Sequence, residues 1–377
     1  MEIAIIGWYG TETIGDRAIL AGIIRVMSEV FSSFDVRLGS LYPFFTERTL
    51  HEDGAFYDEI SQNKLSSITI FDSRKPIQLR NNIKHSDLLI VGGGPLMDLM
   101  EMSMLEYAFL FAKRKRVKTM LFGCGWGPLK NKNTIGKAAR LVELSDCVVF
   151  RDDVSLNQCL SLCPEYSSKV SSSIDPAFFA CDYFIHHVGK SREQGHIAIN
   201  FRDVSLEGDH YIEKGVSEEM LCALVRDIAT QTELPVDLVP MHSFFIGGDD
   251  RVILNRIAGK VALANVKAVQ SPLSLYDTMG RFYHAKLCVG MRFHAVVLQT
   301  MLNGNNYVVD YTDPSIGKIV GMMEKMGMKD FYGRRYFSLH TGNMLFEVDL
   351  FRENRFEYDP KVIEDYLGQY VNCLKML

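Results

Sequence analysis

No two of the eight cysteines stand in a CxxC spacing, and several lie inside apolar, strand-like runs such as KLCVG and CVVF. That argues against a disulfide framework and fits reduced, buried thiols in a cytosolic protein. No HExxH occurs, and the adjacent His186 and His187 are not at a ligand-forming helical spacing, so metal ligation has little support. Positive charge is not in excess either: the net charge is −5 and the pI about 6.1. A nucleic-acid partner therefore has no global electrostatic support, and any anion must be held by local arginines and helix N-termini. The first residues, MEIAIIGWYG, carry no basic region and too short an apolar run for a signal peptide. No stretch approaches the ~18–20 uncharged residues a bilayer span requires. These absences point to a cytoplasmic protein. The basic run AKRKRVK (112–118) is either a contact for a membrane surface or a solvated helix end.

What is present is ordinary for a globular enzyme, with 47% hydrophobic and 23% charged residues. At 377 residues the chain is long for one core, and two domains are expected. Short apolar runs alternate with amphipathic ones, the pattern of βα units and parallel sheets. Strands are expected near 2–6, 35–39, 87–91, 117–122 and 147–150, with helices near 16–30, 97–115, 133–145 and 153–161. IAIIG, DLLIVGG and TMLFGCG are continuously apolar, as strands covered on both faces should be. Region 42–85 is polar and turn-rich, with one plausible strand at SITIF (67–71). The pattern breaks around 163–193, which reads as the end of one domain and a linker. A second series follows, with strands near 196–201, 236–239, 266–269, 286–289 and 306–310. Helices near 216–231, 249–260, 273–282, 293–303 and 314–326 alternate with them, and one more amphipathic helix runs from Asp359 to Leu377. The expected fold is α/β: two facing Rossmann-like domains with parallel sheets, and a C-terminal helix packing back on the first. The domains are set at 1–185 and 195–345, with a helical tail at 346–377.

The candidate chemistry lies where strands end, because ligands of open α/β sheets bind outside the carboxyl ends of the strands. The most informative segment is KLCVGMRFHAV (286–296), in which a strand stops at Gly290 and is followed by Arg292 and His294. Arg presents a planar fork suited to carboxylate or phosphate, and His titrates near neutral pH; together they can hold and activate an anion. In the first domain three glycine-bearing turns follow strands: Gly7…Gly10…Gly15-Asp16, Gly92-Gly93-Gly94 and Gly123-Cys124-Gly125. The first matches neither GxGxxG nor a P-loop, and Asp16 reads as a helix N-cap or first-turn residue. Glycines there let the backbone approach something closely, either a ligand or a neighbouring loop. Arg151, just after CVVF, is an anion ligand, the partner of Asp152 or Asp153, or a domain-interface contact. In the second domain Arg202 follows HIAINF and His242 follows VDLVP, while Asp249 and Asp250 open a helix as first-turn carboxylates. Lys318 adds a positive charge beyond Asp310 and Tyr311.

Taken in order, GWYGTETIGDRAIL (7–20), SDLLIVGGGPLMD (86–98), FGCGWGPL (122–129), FRDDVS (150–155), DPAF (175–178), VPMHSF…DD (239–250), GMRFHA (290–295) and Tyr311 to Lys318 resemble the polysaccharide pyruvyl transferase family. One departure is Thr13, where the family commonly has Asn. The resemblance implies a GT-B-like fold and transfer of a pyruvyl group from phosphoenolpyruvate to a sugar, closing a pyruvate ketal. It implies no metal or organic cofactor. The sugar would belong to a cell-surface polysaccharide or its lipid-linked precursor, the latter implying peripheral membrane contact. Arg292, Arg151 and helix N-termini would hold the donor, His294 would move the proton, and Arg202 and Lys318 would complete the anion shell. Gly10, Gly92, Gly93, Gly94 and His242 are the remaining substrate-binding candidates. The acceptor would lie on the first-domain side against the glycine turns, Trp8, Tyr9 and Trp126, shaped by loops at 42–85 and 203–215. The alternative is a GT-B glycosyltransferase with a nucleotide-sugar donor, for which a Glu placed to hold a ribose would be the sign; no convincing one is found.

Overall fold

The fold is given by a computed structural model that describes residues 1–127, 129–188, 195–204, 214–312, 317–333, 335–339 and 355–377. Two compact units emerge. The first comprises Met1–Glu12, Asp16–Tyr183 and Asp359–Leu377; the second comprises Thr13–Gly15 and Phe184–Tyr358.

In the first unit, strands β1 (Glu2–Ile6), β2 (Phe34–Ser40), β3 (Leu65–Asp72), β4 (Leu88–Gly92), β5 (Pro95–Leu96), β6 (Lys118–Trp126), β7 (Cys147–Phe150) and β8 (Val170–Ser172) form one parallel sheet. Their order is β3-β2-β1-β4-β6-β7-β8, with β5 pairing beside β6. The order reverses between β1 and β4, which is where a doubly wound sheet opens a crevice. The apolar runs account for the middle of the sheet: Ile3, Ile5, Leu89, Ile90 and Met120 are fully buried. Flanking helices seal both faces, as a parallel sheet demands.

Region 42–85 is not loop. It forms a helix (Pro43–Ile60), the edge strand β3 and a second helix (Pro76–Lys84). The long helix hides from a periodicity reading because its inner face includes Thr46, Thr49 and Asp53 beside Phe56, Tyr57 and Ile60. Those polar groups have interior partners: Thr46 bonds Ser40, and Asp53 accepts from Arg17 at 2.5 Å. The expected linker is likewise structured in part. Val170–Ser172 is a sheet strand, and Ala177–Val188 is a helix that buries Phe178, Phe179 and Phe184. The C-terminal helix (Pro360–Met376) belongs to this unit. Its Tyr370 stacks on Phe122 at 4.3 Å and donates to the Ile174 carbonyl at 2.8 Å. A buried aromatic pair of this kind adds about 0.5–1.5 kcal/mol beyond area burial.

In the second unit, β9 (His196–Asn200), β10 (Val236–Leu238), β11 (Val266–Ala268), β12 (Ala285–Gly290), β13 (Asn306–Asp310) and β14 (Tyr336–Ser338) are again all parallel, ordered β11-β10-β9-β12-β13-β14. Here the switch point falls between β9 and β12, with Ile199 beside Val289 and Asn200 beside Gly290. Ile197, Ile199, Leu238, Leu287, Val289 and Val309 form the centre of its core. Beyond the strands expected from sequence, β14 adds a sixth. Of the expected loop 203–215, residues 205–213 lie outside the described residues, as do Pro128, the start of the expected 314–326 helix and the boundary at 345.

Candidate functional site

The carboxyl edge of the second sheet gathers five of the candidate residues, and the connections are physical. At the switch point β9 ends on Asn200, fully buried. Its Nδ2 donates to the Val239 carbonyl at 2.9 Å, and its Oδ1 accepts the Arg292 amide at 3.2 Å. One side chain thereby links the ends of β10 and β12 across β9. After Gly290 the chain turns into the helix Phe293–Leu302. Glycine lets that turn pack closely on the helix, since a Cβ at 290 would lie 2.6 Å from the Gln299 Oε1 and 3.2 Å from the Val296 amide nitrogen. Arg292 is the N-cap residue and offers the helix no side-chain cap. The positive end of the helix dipole is thus oriented toward the same edge as the guanidinium.

Arg292 is paired with Asp250, the first residue of the helix Asp250–Val261. Nε lies 2.8 and 3.0 Å from the two carboxylate oxygens, and Nη2 lies 2.6 Å from Oδ1. Asp250 is 2% exposed and also accepts the Met241 and His242 amides, each at 3.1 Å. Four donors converge on one carboxylate, enough to satisfy a buried charge. Its neighbour Asp249 is the true N-cap, accepting the Arg251 amide at 3.0 Å. Burial would raise the Asp249 carboxyl, but Arg251 and the backbone amides hold it below the ordinary value.

Arg202 donates from Nη1 to the Tyr311 hydroxyl at 2.8 Å, with its guanidinium 5.0 Å from that ring, and its amide meets the Met291 sulfur. Lys318 opens the helix Lys318–Lys325, its Nζ 5.9 Å from the Phe293 ring centroid. His242 is buried against Gly247, where a Cβ would lie 2.8 Å from Cε1. His294 is half-buried, at the second position of its helix. Thr13–Gly15 completes the unit: Thr13 bridges to His242, and the Ile14 amide donates to the Met241 carbonyl at 2.9 Å. Gly15 sits so close to His294 that a Cβ there would be 2.1 Å from Nδ1. Asn200, Asp250 and Gly15 are contributors that the sequence reading did not assign to the site. A faint signal existed for two of them: Asn200 is a polar residue closing an apolar strand, and Asp250 is the second of an acidic pair.

In the first unit the glycine turns are occupied by protein. A Cβ at Gly93 (φ +80°) would lie 2.6 Å from Ile19, one at Gly92 2.4 Å from Ile23, and one at Gly94 (φ +73°) 2.1 Å from Trp8. At Gly10 the neighbours are Ser40 and Tyr42. The close approach that glycine permits is therefore made by neighbouring side chains and loops. Arg151 also has an internal partner. Its guanidinium is 3% exposed and bonds Asp175 at 3.1 Å, with Asp152 at 3.8 Å. Asp152 is itself the N-cap of the helix Asp153–Leu162, accepting the Ser155 amide at 2.6 Å. Of the three aromatics expected to form an acceptor platform, Tyr9 and Trp126 are core residues. Tyr9 donates to the Gly92 carbonyl at 3.0 Å, and burial followed by the Asp16 charge pushes its hydroxyl well above the ordinary value. Trp126 packs edge-on to Phe150. Trp8 alone is partly exposed. Among the described residues no cluster of three or more His, Cys, Asp or Glu could hold a metal ion, and no helix is long and apolar enough to cross a membrane.

A family model described as polysaccharide pyruvyl transferase matches residues 14–314, most of the chain. No curated protein matches. Among solved structures, UDP-GlcNAc 2-epimerase from Methanocaldococcus jannaschii is similar over 100% of both chains at 11% identity and a TM-score of 0.61. UDP-GlcNAc 2-epimerase from Neisseria meningitidis, bound to UDP-GlcNAc, aligns over 100% of both chains at 11% identity and a TM-score of 0.57. The S. aureus MnaA-UDP co-structure matches 99% of this chain and 97% of that one, at 13% identity and a TM-score of 0.54. At such identities the likeness establishes the fold, two parallel-sheet α/β domains of the GT-B class, and nothing about the ligand.

Proposed function

Because the chain belongs to the polysaccharide pyruvyl transferase family, and is on that ground a transferase, we propose that it moves a pyruvyl group from phosphoenolpyruvate to two hydroxyls of one sugar, forming a ketal and releasing inorganic phosphate. The observation that carries the proposal is the pairing at the end of β12. Arg292 is oriented by Asp250 through one edge of its guanidinium and precedes His294 by two residues at a helix N-terminus.

The chemistry follows from the donor. Phosphoenolpyruvate brings a carboxylate and a phosphate, which call for a forked cation and oriented amides. Arg292 supplies the fork, Lys318 a second charge, and Arg202 a third beside Tyr311. His294 delivers a proton to the methylene carbon, making the methyl group, while the first sugar hydroxyl adds to the neighbouring carbon and gives up its own proton. The second hydroxyl then forms the other C–O bond, its proton passing to the departing phosphate, as the C–O bond to phosphate breaks. The phosphate leaves with the electron pair. No metal or organic cofactor is needed for this sequence of bonds. The acceptor belongs to a cell-surface polysaccharide or its lipid-linked precursor, and a lipid-linked acceptor would bring the protein to the inner face of the membrane.

Thermal shift with phosphoenolpyruvate against a panel of UDP-, GDP- and CMP-sugars tests the donor. Stabilisation by phosphoenolpyruvate and by none of the nucleotide sugars is expected. Stabilisation by a nucleotide sugar alone would overturn the reading.

A further inference from the structure

Arg292 carries more structure than a lone anion ligand requires. Its Nε and Nη2 both bond Asp250, while Nη1 makes no hydrogen bond among the described residues. A guanidinium has two usable edges, each able to meet one carboxylate or phosphate bidentately. Asp250 takes the side-on edge and leaves the end-on edge, Nη1 with the outer hydrogen of Nη2, for a second anion. Asp250 cannot follow Arg292 if that residue swings, because the Met241 and His242 amides hold the same carboxylate and its own amide donates to the His242 carbonyl. Asn200 fixes the other end by accepting the Arg292 amide.

We propose that Asp250 is a positioning residue for donor binding, which locks the side-on edge of Arg292 so that its end-on edge meets an anionic group of phosphoenolpyruvate in one geometry. This rests on the phosphoenolpyruvate reading above. Pairing costs part of the attraction, since Arg292 and Asp250 together carry no net charge. In return the fork loses no rotamer freedom when the donor arrives. Removing the carboxylate therefore sets two effects against each other: the liberated charge attracts any anion, and the lost orientation weakens a ligand that must be met in one geometry. For a donor with two anionic groups at fixed separation, orientation dominates.

The test is a double-mutant cycle read by titration calorimetry with phosphoenolpyruvate, using wild type, Asp250→Asn, Arg292→Lys and the double variant. Asp250→Asn is expected to weaken phosphoenolpyruvate binding about tenfold or more, the scale of a lost hydrogen bond to a charged group. In the Arg292→Lys background, which lacks the fork, the same change should alter affinity by less than about twofold. A merely structural role for Asp250 predicts equal losses in both backgrounds and would overturn the proposal, as would binding by Asp250→Asn equal to or tighter than wild type. Absence of phosphoenolpyruvate binding by the wild-type protein would instead remove the donor reading and this inference with it. Should Asp250→Asn fail to fold, a crystal structure of the wild-type complex decides the matter. Donor oxygen on Nη1 with Asp250 still on Nε supports the proposal, and a donor that displaces Asp250 from Arg292 overturns it.

Discussion

Replacing Gly94 by alanine tests whether the glycine turn after β4 is shaped by the protein's own packing. Gly94 has φ +73°, and a Cβ there would lie 2.1 Å from Trp8 Cδ1 and 2.5 Å from Nε1. Ordinary contact begins at 3.4 Å, so the indole must retreat by about 1.3 Å or the turn must open. The left-handed backbone alone costs an L-residue about 1–2 kcal/mol, and overpacking typically adds about 1–3 kcal/mol. Trp8 is only partly buried and can give way, which places the total near the lower end, about 2–3 kcal/mol. Urea denaturation reads the stability. Tryptophan emission reads the displacement, because the chain has two tryptophans and the other, Trp126, is buried in the core. A Trp8→Phe variant isolates the Trp126 signal. Gly94→Ala should lower stability by that amount and shift the Trp8 emission to the red. A stability within about 0.5 kcal/mol of wild type, with unchanged emission, would refute the packing argument and return the turn to a ligand.

Two further outcomes follow from buried charge. Asp53→Ala strips Arg17 of a fully buried partner while its pair with the more exposed Glu52 stays in place, and should cost about 3–5 kcal/mol in urea denaturation; a loss below about 1 kcal/mol would contradict the burial of that pair. Glu218 is held below the ordinary glutamate value of 4.5 by its bond from Lys260 and then by Arg256. With the folded value depressed, its stabilisation is present above 4.5 and is lost as pH falls through the folded value. Glu218→Gln should therefore lose less stability on acidification than wild type, and an identical acid limb would contradict it.

The middle strands of both sheets were legible because a strand covered on both faces must be apolar throughout, as IAII and LCV are. The helix Pro43–Ile60 was not, because what it buries includes an ionic network. Arg17 meets Asp53 and Glu52, while Arg48 meets Glu52 and Glu12, and no hydrophobic period announces such a face. At the site, Arg292 and His294 could be read together because they adjoin in sequence. Asp250, which holds the arginine, is 42 positions away, so only the parallel order of β10, β9 and β12 brings it there. The glycine triplet shows the opposite failing. Sequence shows that a glycine admits a close neighbour, but Ile19 and Ile23 become such neighbours only once the helix Ile14–Val30 is folded against β4, and Trp8 only once β1 pairs with β4.

The central claim is that His294 protonates the donor methylene while Arg292 holds its anionic end. The most direct measurement is carbon NMR of the product formed from phosphoenolpyruvate labelled at its methylene carbon, with cell-envelope saccharide fractions as acceptor. Wild type should convert the label to a ketal methyl signal with release of inorganic phosphate, and folded His294→Ala should lose nearly all of that signal. Full ketal formation by folded His294→Ala would contradict the assignment. Label remaining in phosphoenolpyruvate while a nucleotide sugar is consumed would contradict the reaction itself.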